Sequence, residues 1–177
     1  MPTPPTPITG LLHAGLTHKA TALGIHAPLA SIEKMEALEV LTSKLCEKFI
    51  SGFGVNDGWS LYLGGYWLIA QNVISEDEGL LNQWLYEHYT PFRNTVDKEY
   101  ISKCAMVASL MRKEVTGLKL DEAYNLTIEF EKESKLIIPS NVEIVDWQWC
   151  LNESGNSPYQ DYLVACFWKG KIEINTE

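Results

Sequence analysis

Between Asn125 and Glu131 the chain alternates without a break, with Leu126, Ile128 and Phe130 on one side and Thr127, Glu129 and Glu131 on the other. Only an extended strand with one dry and one wet face sorts side chains in this way. The stretch from Ser31 to Ile50 keeps a different period. Its apolar residues Ile32, Met35, Leu38, Leu41, Leu45, Phe49 and Ile50 fall at helical steps, opposite Glu33, Lys34, Glu36, Glu47 and Lys48. Ser31 is placed to cap that helix and Gly52 to end it. A chain that begins helical and turns to alternation later is bound to an α+β plan.

The remaining segments fit that plan. Two aromatic-rich runs flank Gly64-Gly65, which predicts a hairpin with a tight turn. Ser75-Glu76-Asp77-Glu78 has the form of a capping box, followed by a short helix to Tyr89 carrying Leu80, Leu81, Trp84 and Leu85. A third helix is expected from Thr95 or Val96, with Ile101, Cys104, Ala105, Ala108 and Met111 as its buried stripe. Strands are expected over 115–120, 125–131, 136–138, 142–151, 162–168 and 171–174, with a turn at Lys132-Glu133-Ser134 and an open polar loop from Asn152 to Pro158. The expectation is a mostly antiparallel sheet of six to eight strands packed against two or three helices. Residues 1–9, with their prolines, read as a disordered leader, and 10–177 as a single domain.

The charge balance narrows the partners. Fourteen Lys and Arg face 23 Asp and Glu, for a net charge of −9. That argues against direct nucleic-acid binding, which is driven by basic patches. The imbalance has a location: up to residue 75 there are 4 basic and 5 acidic residues, and beyond it 10 and 18. No segment reads as a signal peptide or a membrane span. The four cysteines, Cys46, Cys104, Cys150 and Cys166, sit among apolar neighbours without a Cys-x-x-Cys pair, which fits free thiols in a cytoplasmic protein. A Cys150–Cys166 disulfide is the alternative if the two fall on adjacent strands.

Residues that carry chemistry are few. His13, His18 and His26 lie in the leader, and His88 stands beside Tyr86 and Tyr89 near a helix end, so neither a metal site nor a nucleophile–base pair is expected. The glycines near 52–54 and 64–65 have no phosphate-binding form. No cofactor is implied. Glu129, Glu131 and Glu133 read as a wet strand face, and Glu76, Asp77 and Glu78 as helix-start acids. The Trp and Tyr residues cluster on the predicted hairpin and in the C-terminal strands, and some of them must lie on an outer sheet face. Exposed aromatics beside acids compose a protein-recognition surface.

The succession of Trp59-x-Leu-Tyr-Leu, Tyr66-x-Leu, Val115-x-Gly-Leu-x-Leu, Leu126-x-Ile-x-Phe, Leu136-x-Ile and Val145-x-Trp-x-Trp resembles the small acidic immunity proteins of bacterial contact-dependent growth inhibition and polymorphic toxin systems. The resemblance covers residues 35–175. It implies a non-catalytic cytoplasmic protein that binds and blocks a cognate toxin domain, in many cases a basic nuclease. Under that expectation the partner-binding residues are Glu129, Glu131, Glu133, Glu153, Tyr159 and Asp161. Three other readings stand beside it. One is a small-molecule or peptide binding module with Trp59, Trp67 and Trp147 around a pocket. Another is a phage or mobile-element inhibitor of a host nuclease. The last is an enzyme working through carboxylates alone.

Overall fold

The computed structural model describes residues 29–175 other than 96 and 144. The leader expected over 1–9, most of the segment 10–30, Val96 as a helix start and Ile144 as a strand residue therefore lie outside the described residues. The class is α+β, with strands in antiparallel pairs throughout.

Helix α1 (Leu29–Leu45) leads into β1 (Ile50–Val55), β2 (Trp59–Leu63) and β3 (Tyr66–Ala70). Three helices follow, α2 (Glu78–His88), the single turn α3 (Thr90–Arg93) and α4 (Lys98–Leu110). The chain then forms β4 (Val115–Leu120), β5 (Leu126–Phe130) and β6 (Lys135–Ile138), and ends with β7 (Trp147–Asn152), β8 (Val164–Phe167) and β9 (Lys171–Ile174). The nine strands divide between a six-stranded sheet ordered β1-β2-β3-β7-β8-β9 and a three-stranded sheet ordered β4-β5-β6. Backbone bonds stitch the sheets together at two places. The Glu47 and Arg112 amides donate to the carbonyls of Val115 and Ile50, and Ile74 pairs with Ile137.

One core receives side chains from both sheets. Trp59, Leu61, Leu63, Leu68, Trp149, Leu151 and Val164 come from the larger, and Leu118, Leu126, Ile128, Phe130, Leu136 and Ile138 from the smaller. Helix α1 closes this core with Ala37, Leu41 and Leu45, and α4 adds Val107 and Leu110. The alternation of β5 holds in full: Leu126, Ile128 and Phe130 are buried, and Glu129 faces outward. The Gly64-Gly65 hairpin also forms, with φ of +56° and +103° at the two glycines. Both angles are open to glycine at little cost.

Several sequence expectations are corrected. Helix α1 is left at Cys46, not at Gly52, and residues 50–55 form a strand. Glycines at positions 52 and 54 disguise it, because neither has a side chain to register in a period. Ile32, Met35 and Phe49 of the expected stripe are exposed, and Ala37 with its small side chain takes a core position. The face of α4 is rotated from the expected one. Ser102, Lys103, Met106, Val107 and Leu110 are buried, while Ile101, Ala105 and Ala108 are exposed. Two polar residues hid that face. Ser102 hydrogen-bonds Asn82, and the Lys103 ammonium lies 2.6 Å from both Asn72 Oδ1 and Glu99 Oε1, so each is buried with its polar group satisfied.

The capping box does not form either. Asp77 occupies the cap position of α2 without a side-chain bond, and Ser75 reaches only the Asp77 amide at 3.4 Å. The expected strand over 142–151 is extended only from Trp147, because Gln148 turns back to exchange two hydrogen bonds with the Val142 backbone. Trp168 begins a tight turn rather than continuing β8. Among the described residues no helix is long and apolar enough to cross a membrane.

Candidate functional site

The β5–β6 hairpin carries three of the five carboxylates expected at the site, Glu129, Glu131 and Glu133. Here the expected picture changes: only Glu129 stands on the strand, while Glu131, Lys132 and Glu133 form a turn of 3-10 type. Alternation along a strand placed Glu131 on the face of Glu129, but the chain leaves the strand one residue earlier. Lys132 and Glu133 both have φ of +61°. For residues with a Cβ the left-handed region costs about 1–2 kcal/mol each. The turn is held by the Phe130 amide on the Ser134 carbonyl at 2.8 Å, the Glu131 amide on the Glu114 carbonyl at 3.0 Å and the Lys113 ammonium on Ser134 Oγ at 2.8 Å.

Beside this tip lies an open cleft of about 580 Å³ bordered by Glu76, Glu129, Glu131 and Glu133, with Lys132 and Lys135 as its cations. Glu129 is half-buried and lies 2.5 Å from the Lys119 ammonium. Glu76, Glu131 and Glu133 hold no ion pair among the described residues. Glu76 comes from the segment just before α2, where the sequence alone gives it the role of a helix-start acid. Nothing in its spacing signalled that the fold would bring it to the hairpin.

The other three predicted residues lie elsewhere. Glu153, Tyr159 and Asp161 occupy the β7–β8 connection of the six-stranded sheet, and no hydrogen bond or ion pair among the described residues joins them to the hairpin tip. Asn152, fully buried, organises that connection. Its amide nitrogen donates to the carbonyls of Asn156 and Asp161 at 2.7 and 3.2 Å, and its amide oxygen accepts from the Gly155 amide at 2.8 Å. Glu153 is exposed. Tyr159 is exposed as expected, but its hydroxyl donates to Asp146 Oδ2 at 2.9 Å, and that bond pushes the phenol above its ordinary range. Asp161 is half-buried and close enough to Cys150 to raise its thiol.

The aromatic residues divide between two faces. Trp59 and Trp149 fill the core, while Trp67, Trp147, Tyr162 and Phe167 form a half-exposed layer over Ile69, Cys150 and Ala165 on the outer face of the six-stranded sheet, with the Tyr62 ring 4.9 Å from Trp67. Trp59 thus points away from Trp67 and Trp147, and the three do not enclose a pocket. His88 ends α2 with its ring stacked on Trp84 at 4.9 Å and its Nδ1 2.9 Å from the Trp84 carbonyl oxygen. The arrangement suits electrostatic attraction and surface contact. Among the described residues no group of three metal-ligating side chains converges.

In comparisons of sequence and structure, the chain matches no protein-family model, no curated protein and no solved structure.

Proposed function

We propose that the chain is a cytoplasmic binding protein that neutralises a basic protein domain, in the manner of toxin-blocking immunity proteins. The carrying observation is the β5–β6 tip. There three carboxylates with no ion pair among the described residues, Glu76, Glu131 and Glu133, border one open cleft beside two strained residues. Acids in excess over the cations of a cleft attract a cationic surface and raise its association rate, more steeply at low salt. Strain at a turn persists only where surrounding bonds over-determine it, and such turns cluster at working sites. The net charge of −9 and the free thiols are consistent with this reading.

The test is to purify the chain with its bound partner from its source cells, identify the partner, and measure association by stopped flow. A basic domain whose toxicity the chain suppresses is expected. Glu131→Gln with Glu133→Gln should slow association by about tenfold at low salt, with the difference vanishing at high salt. An acidic or neutral partner, or an unchanged rate and salt slope in the double variant, would overturn the reading.

A further inference from the structure

The sequence points to Tyr159 as the aromatic anchor, but the fold offers a different one. Helix α2 buries none of its residues. Leu80 is 70% exposed and Trp84, one turn on, 56%. Its inner edge, Leu81, Asn82 and Leu85, is only half-buried against the neighbouring helices. Polar ties add to that packing. Asn82 is hydrogen-bonded by Ser102 of α4, and the Arg93 side chain donates to the carbonyls of Tyr86 and Glu87 at 2.6 and 2.9 Å, capping the C-terminal end. The helix is thus fixed in place with its apolar edge turned outward.

That edge is continuous with the acidic cleft. Glu76 and Glu133 border the cleft and also the groove beside it, which Asp77 shares, and Asp77 in turn borders the shallow trough formed by Leu80, Trp84 and Glu87. The chain has no Lys or Arg between Lys48 and Arg93, so the fixed charges of α2 and the segment before it are carboxylates, and the basic groups against α2 gather at its C-terminal end, where His88 stacks on Trp84 and Arg93 and Lys98 lie over the Tyr86 ring. Lys113 and Lys135 line the middle groove, and Lys113 is engaged with Ser134.

We propose that Leu80 and Trp84 of α2 anchor the partner, and that the partner is a basic protein segment carrying apolar side chains beside its cations. The inference rests on the proposed neutralising function and deepens it. Charge complementarity selects the occupant. An acidic rim around an apolar edge attracts a cationic amphipathic surface, and it repels nucleic acid, anionic lipid and a second copy of a chain with net charge −9. An exposed Trp surrounded by charge is the kind of residue that carries binding energy in such contacts, Leu80 adds apolar area beside it, and the acids set the rate.

The test uses the full chain and a synthetic peptide with leucine at helical spacing and lysine elsewhere, with a glutamate-for-lysine peptide as control. Circular dichroism confirms that each variant is folded, which the exposure of both residues favours. Trp84→Ala and Leu80→Ser are each expected to weaken binding of the lysine peptide by about tenfold or more. Trp84→Tyr should keep most of it, and the control peptide should not bind. If the Glu131→Gln, Glu133→Gln variant loses association rate while Trp84→Ala binds normally, the anchor is overturned and the neutralising function stands. If Trp84→Ala weakens binding while the charge variant changes nothing, the basic character of the partner and the acidic-cleft reading are overturned together. Displacement of the lysine peptide by a peptide of residues 8–28 would assign the surface to the chain's own N-terminal segment and overturn the proposal. A dimer that Trp84→Ala abolishes would do the same in favour of a second copy. Absence of lysine-peptide binding by the unaltered chain also overturns it.

Discussion

Lys103 is buried in α4 while Glu99, one turn earlier and 2.6 Å from its ammonium, has a side chain 69% exposed. The same ammonium reaches Asn72 Oδ1 at 2.6 Å, which ties α4 to the segment after β3. The pair is therefore unequal, and its two halves differ in what their loss would cost. Lys103→Ala removes a buried stem and one of the two donors to Asn72 Oδ1, the Val73 amide remaining, an expected loss of about 2–3 kcal/mol. Glu99→Gln keeps an acceptor at the surface and should cost under about 1 kcal/mol. Urea unfolding of both variants measures the difference, and equal costs would show that the ion pair rather than the buried stem holds the helix.

The tight turn between β2 and β3 predicts a second inequality. At Gly65, with φ of +103°, an added Cβ would meet no atom within 4 Å, so any cost of Gly65→Ala is backbone strain alone. At Gly64, with φ of +56°, the obstacle is the side chain of Lys48, whose flexible stem can move aside. Gly65→Ala should destabilise by about 1–2 kcal/mol and Gly64→Asn by less, because asparagine tolerates the left-handed region near +56°. Thermal melts of the two variants check the order.

These positions also mark what was legible in the residues. The β5 alternation, the glycine hairpin and the helix-end histidine each rest on local chemistry that tertiary contacts left unchanged. Strand β1 escaped because Gly52 and Gly54 carry no pattern, and the face of α4 escaped because Ser102 and Lys103 are polar yet buried through specific bonds. At the site, the acids at the β5–β6 hairpin were visible as a charge run. Their convergence with Glu76 was not, since it depends on how the chain returns from the six-stranded sheet to the smaller one. The exposure of Leu80 and Trp84 was equally hidden. Helical spacing tells which residues share an edge, and not whether anything covers it.

Asn152 sets the shape of the β7–β8 connection, so its replacement separates the two groups of predicted residues. Asn152→Ala would leave the Gly155 amide without its acceptor and free the carbonyls of Asn156 and Asp161, at a cost of about 2–3 kcal/mol. Amide hydrogen exchange should rise across residues 153–161 and stay unchanged at the β5–β6 hairpin. Binding of a basic partner should survive, because the acidic cleft and α2 are built without that connection.

Cys150 and Cys166 predict a distinct alkaline limit. Cys150 pairs across the strands with Ala165, and Cys166 with Trp149, which puts the two sulfurs on opposite faces of the sheet and leaves both as free thiols. Burial pushes each thiol from 9.0 up to about 12, with Asp161 adding to the effect at Cys150. The folded state therefore holds these protons more tightly than the unfolded chain does. The stability this contributes is complete below pH 9.0 and is lost as pH rises toward about 12, at roughly 4 kcal/mol per thiol. The melting temperature should fall steeply from pH 9.0 upward, and Cys150→Ala with Cys166→Ala should flatten that fall while lowering stability at neutral pH. Iodoacetamide should label the half-exposed Cys46 and Cys104 in the native protein and reach the other two only on unfolding. Equal labelling of all four in the native state, or an unchanged alkaline slope in the double variant, would show that the two thiols are not shielded by the core.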